Sequence, residues 1–159
     1  MQTRRARLDR LGLPALVAIA LGACRGEPAP RYGQAMHEIG RRFEVLGRAA
    51  AAGRYELARY ELDELNEVVE HDLPRAQAPQ VGDLVGAAAS LRDMRLALGR
   101  LDADLKHPEP GQVRSSFALT AKACNACHAS LAHGFIEIPQ ELGGTVPRTD
   151  AGSLVRDDP

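Results

Sequence analysis

Residues 82–106, GDLVGAAASLRDMRLALGRLDADLK, decide how the fold is read. Leu84, Ala87, Leu91, Met94, Leu98, Leu101 and Leu105 alternate by three and four. That is the spacing of an apolar seam along one face of a helix in a bundle. Alternating β-branched runs, the mark of half-buried strands, are absent from the chain.

Working outward, three further segments read as amphipathic helices. About 34–52 places Met36, Ile39, Phe43, Leu46 and Ala50 on one stripe, with Arg41, Arg42, Glu44 and Arg48 mostly away from it, and Gly53 suits its exit. About 54–71 places Ala58, Leu62, Leu65 and Val69 together, and Pro74 is expected to stop it. About 111–132 turns Val113, Phe117, Thr120, Cys124, Cys127 and Leu131 inward. The connections are short or proline-rich, at Gly53, DLPRAQAPQVG (72–82) and KHPEPGQ (106–112). Neighbours joined in this way run in opposite directions, so the chain is expected to be all-α, an antiparallel four-helix bundle over 35–139. HGFIEIP (133–139) is expected to fold back on the bundle, and 140–159 reads as a flexible tail.

The fourth segment carries CNACH, residues 124–128, near its C-terminal end. On a helix Cys124, Cys127 and His128 project from neighbouring positions of one face. Two thioether links from the cysteines to a porphyrin edge, with the adjacent imidazole on the iron, is the usual meaning of this spacing. A thioredoxin-like redox pair needs a βαβ setting with its first cysteine at a helix start. A structural zinc site wants a fourth ligand and a second pair at ligand spacing, and none is present. A disulfide between positions three apart would strain a regular helix. One covalent haem c is therefore expected, on Cys124 and Cys127, with His128 as the proximal iron ligand.

The first 24 residues set the compartment. Arg4, Arg5, Arg7 and Arg10 precede the uncharged run Leu11–Leu21, which ends in Gly22, Ala23 and Cys24. This is a secretory signal, too short to span a membrane. LGAC resembles a bacterial lipobox, which implies a signal peptide over 1–23, lipidation of Cys24 and a tether over 24–34. From Cys24 onward 16 Lys and Arg face 20 Asp and Glu, a net charge of −4 in 136 residues. Nothing in that balance invites nucleic acid. The expected protein faces the periplasm of a Gram-negative bacterium on a lipid anchor. Arg25, where an Asp would favour inner-membrane retention, points by resemblance toward the outer membrane.

A four-helix bundle with its haem motif late in the fourth helix resembles the cytochrome c prime superfamily and its low-spin relatives. Within it, EIGRRFEVLGRAAAAGRYELARYELDELNEVVE (38–70) with TAKACNACHASLAHGFIEIP (120–139) is similar to small periplasmic c-type cytochrome-like proteins. Carried over by position, the resemblance implies haem attachment at Cys124 and Cys127 and iron ligation by His128. The chain departs from the usual pattern in its longer tail and its lipobox.

In such a bundle the end of the fourth helix lies beside the starts of the first and third and the end of the second. Met36, His37 and His71 are then candidates for the far side of the iron, whereas His107 is at the wrong end and Met94 too deep. Met36 lies on the apolar stripe and His37 toward the polar side. Low-spin relatives use a Met near the start of the first helix, so the resemblance favours Met36.

Two functions follow from these alternatives. A six-coordinate iron suits electron transfer, and an open distal position suits gas binding or sensing. A non-haem interaction lipoprotein is the third reading. His71 with Asp72, and ELDELNEVVE (61–70), read as solvated helix surface, so no enzymatic activity is expected. The acidic face suits a basic redox partner protein, and a second copy of the chain is a further candidate partner.

Overall fold

The computed structural model describes residues 31–76 and 81–146. The expected signal peptide, the lipidation site Cys24, residues 25–30 of the tether and residues 147–159 of the tail lie outside them. Four main helices make the fold: α1 (Tyr32–Ala51), α2 (Tyr55–Glu67), α3 (Leu84–Lys106) and α4 (Pro110–Ser130). Among the described residues no strand occurs, and no helix is long and apolar enough to cross a membrane.

Local chemistry sets the helix ends. The backbone N–H of Arg31 donates to the Gln34 side chain at the entry to α1. At its exit Gly53 takes φ +69, and the N–H groups of Gly53 and Arg54 return to the carbonyls of Ala50 and Ala49. That paired closure favours glycine at the left-handed position. Asp83 caps α3 by accepting from Val85 and Gly86, and Pro110 opens α4, where its missing N–H costs nothing.

Contacts between helices give their directions. Arg42 on α1 reaches Glu61 and Glu64 on α2, each at 3.1 Å. Arg59 lies 4.0 Å from Asp102, whereas Glu70, further along the chain, pairs with Arg95, nearer the start of α3, at 3.1 Å. Cys127 near the end of α4 meets Ala87 near the start of α3, and Phe117 of α4 stacks on Phe43 of α1. Every neighbouring pair is antiparallel, as expected. Leu46, Leu62, Leu65, Leu98, Leu101, Leu105 and Val113 fill the centre. Burying one such side chain contributes about 1.5–3 kcal/mol.

The structure departs from the sequence reading at several points. α1 begins at Tyr32, inside the stretch read as tether. Pro74 does not stop the second segment: a π-helical turn over Val68–Asp72 leads into a last turn, Leu73–Arg75, with Pro74 inside it. The wider turn changes the hydrogen-bond register just before proline, where an α-helix would lose a bond and meet the ring. Leu84 is 45% exposed, so the seam of α3 closes from Ala87 onward. Glu61, read as solvated surface, is buried and held by Arg42, and Glu44, placed off the apolar stripe, is buried with Arg48. The core also runs past Pro139, since Leu142 packs on it and Val146 is buried in it.

Candidate functional site

The last two turns of α4 carry the CNACH side chains. Cys124 and Cys127 are half-buried and not joined to each other, and Cys124 packs against the core. Burial, with Cys127 beside it, pushes the Cys124 thiol up to about 12. Burial also raises the Cys127 thiol, whose sulfur lies 3.9 Å from the Ala87 carbonyl. Redox dithiols work by the opposite shift, a lowered thiol pKa that makes a thiolate at neutral pH. These sulfurs are placed as apolar groups on a helix face.

His128 is buried at 8% exposure, and its Nδ1 lies 2.9 Å from the carbonyl oxygen of Ile136. A carbonyl can only accept, so Nδ1 carries the proton and donates, leaving the Nε2 lone pair for a metal. Burial holds the imidazole below its usual pKa, the hydrogen bond to Ile136 opposes that, and His133 nearby adds to it. A neutral ring with one nitrogen committed is the form that ligates a metal.

The polypeptide after α4 supplies this geometry. Ala132 takes φ 60 and turns the chain back, with His133 N–H on the His128 carbonyl and Ile136 N–H on the His133 carbonyl. Ile138 is buried against the bundle, as expected for HGFIEIP.

Among the described residues no three His, Cys, Asp or Glu side chains gather closely enough to hold a metal ion. The two thiols and the imidazole lie along the last two turns of α4. The surroundings are apolar. The start of α3 is tied to the end of α4 by Asp83 N–H on the Ser130 carbonyl at 2.7 Å. Val81, Leu84 and Val85 stand exposed at that junction, and Phe135 follows α4 at 76% exposure. On donor set and apolar setting, the residues present fit a haem c.

The other candidates separate clearly. Met36 is half-buried and packs on the core, while His37 is exposed. His71 is also exposed and lies 3.6 Å from Glu67, so it turns to solvent rather than inward. Met94 is buried midway along α3, and His107 sits at the opposite end of the bundle. Sequence reasoning missed Tyr32, one turn before Met36. Burial foremost, and the charge on the Cys127 sulfur, raise its phenol. Its i,i+4 relation to Met36 was the available signal. Asn125 and Ile136 were missed too; a backbone carbonyl as partner leaves no trace in sequence.

No protein-family model and no curated protein sequence matches the chain. Among solved structures, cytochrome c′ from Rubrivivax gelatinosus is similar at 18% identity and a TM-score of 0.52, over 65% of this chain and 93% of that one. The described chain therefore has the four-helix-bundle fold seen in that cytochrome c′.

Proposed function

We propose that this protein is an exported c-type cytochrome with one haem, bound covalently through Cys124 and Cys127 and ligated by His128, that transfers electrons at the face of a membrane. The observation that carries the reading is the His128 imidazole, fixed by Ile136 at 2.9 Å with Nε2 left bare, on the helix face that also presents both thiols. The cytochrome c′ fold supports it, as does the position of CNACH in the last two turns of α4.

The haem supplies a one-electron couple, and the chain's residues set how it behaves. Cys124 and Cys127 would fix the ring edge to α4. His128 would hold the iron from one side, and the apolar packing around Cys124 would keep water from that edge. Met36 is the proposed ligand of the other side, one turn from Tyr32 on α1. The signal and lipobox of residues 1–24 support delivery to the periplasm on a lipid anchor.

Expression with the haem-attachment machinery tests this. The wild type should carry haem through a denaturing gel, and the Cys124→Ala/Cys127→Ala double variant should carry none. Wild type without covalent haem would falsify the reading. Reduced wild type that binds carbon monoxide at once would turn it from electron transfer to gas binding.

A further inference from the structure

Asn125, between the two cysteines, makes both hydrogen bonds that its carboxamide can offer to a single residue. Its Nδ2 donates to the Ile138 carbonyl at 2.9 Å, and its Oδ1 accepts from the Ile138 N–H at 2.7 Å. We propose that Asn125 is a positioning residue for the iron ligand: by clamping Ile138 it holds the Ile136 carbonyl against His128 Nδ1. The inference rests on the haem reading above.

The returning segment is fixed at two places with Ile136 between them. Upstream, the left-handed Ala132 and the His133 N–H on His128 set the turn. Downstream, the Asn125 clamp and the buried Ile138 side chain set the backbone two residues beyond Ile136. Loss of the clamp leaves only the buried Ile138 side chain to hold that end and loosens the direction of the Ile136 carbonyl. An oriented acceptor on Nδ1–H fixes the tautomer and makes Nε2 a stronger donor to iron. A stronger donor favours the oxidised iron, so a slack clamp should favour the reduced one. A side chain that merely tied the tail down would need no particular relation to His128. Asn125 instead stands three residues before it on the same helix, and its partner Ile138 is two residues from the imidazole's own.

The test compares wild type with Asn125→Ala, both haem-loaded, by redox titration and by hydrogen exchange at the Ile138 amide. The expected result is faster exchange and a shift of the oxidised-to-reduced equilibrium toward reduced haem by roughly two- to tenfold, the net worth of one hydrogen bond, with helix content unchanged. Faster exchange with an unmoved potential overturns the proposal. Should Asn125→Ala fail to fold, Asn125→Ser, small but polar, is read in the same way. If the wild-type chain proves to carry no covalent haem, the haem reading fails separately. Nitrogen NMR of that haem-free full chain then decides the clamp alone. An Nδ1–H tautomer at His128 that is lost in Asn125→Ala supports it, and an Nε2–H tautomer in the wild type overturns it.

Discussion

The sulfur of Cys127 lies 3.9 Å from the backbone carbonyl oxygen of Ala87. That contact joins α4 to α3 at the end of the bundle where Asp83 N–H also meets the Ser130 carbonyl. A sulfur against a carbonyl, in apolar surroundings, is a poor place for a negative charge. Cys124, packed on the core, is poorer still.

In the haem-free chain this has a chemical consequence. Thiolates alkylate and thiols do not. With its thiol pushed up to about 12 from 9.0, Cys124 should react slowly at neutral pH. Its alkylation rate should go on rising roughly tenfold per pH unit past the pH where an ordinary thiol levels off. Mass spectrometry after timed labelling checks this, and a plateau near the ordinary value would show that Cys124 is not shielded as described.

On the proposed haem reading, Met36 is the residue to test as the second iron ligand. With Met36 on the iron, the reduced protein should ignore carbon monoxide at neutral pH, and Met36→Ala should bind it promptly and become high-spin. Tyr32→Phe, one turn away, should leave coordination unchanged, since it removes only a hydroxyl. Spectra of the oxidised and reduced proteins with and without carbon monoxide give the answer. Identical spectra for wild type and Met36→Ala would remove Met36 from the iron.

Much of this was legible in the sequence, because local patterns wrote it. The three-four alternation from Ala87 to Leu105 fixed α3, and CNACH placed its own thiols and imidazole on one face. The misreadings came from partners distant in sequence. Glu61 reads as surface until Arg42 of another helix is set against it. Pro74 reads as a stop because a π turn upstream has no simple sequence signature. Leu84 fits the seam by spacing alone and stands exposed. Tyr32 fell within a stretch rich in proline and glycine. The Asn125 clamp pairs a side chain with a backbone thirteen positions on, which no periodicity reports.

Packing between α1 and α4 turns on one small residue. Phe43 and Phe117 stack with centroids 4.3 Å apart and planes 10° from parallel. Gly47 lies beside this pair, and a Cβ there would come within 2.8 Å of Phe117 Cζ. The ring is buried and has little room to retreat. Gly47→Ala should therefore destabilise the fold by about 1–3 kcal/mol through overpacking, despite the better helix propensity of alanine. Thermal melting measures it. Gly33→Ala, where a Cβ meets nothing within 4 Å, is the control and should be neutral or slightly stabilising.

Acid should weaken the protein partly through Glu38. Its carboxylate accepts from Arg41 at 2.6 Å and from Arg42 at 2.7 Å. The Arg41 hydrogen bond foremost, against some opposing burial and with help from Arg42, lowers it from 4.5 to about 2. A carboxylate whose folded pKa lies below its unfolded one contributes its full stability above the unfolded value and loses it as pH falls through the folded value. The contribution should thus be present at neutral pH, fade between 4.5 and about 2, and be gone below that. Its size should be at most about 1 kcal/mol, because water screens a partly exposed pair. Glu38→Gln should accordingly melt lower than wild type at pH 7, and the gap should close as the pH approaches 2. A gap that stayed constant across that window would mean the difference comes from packing or from the unfolded chain rather than from the ion pair.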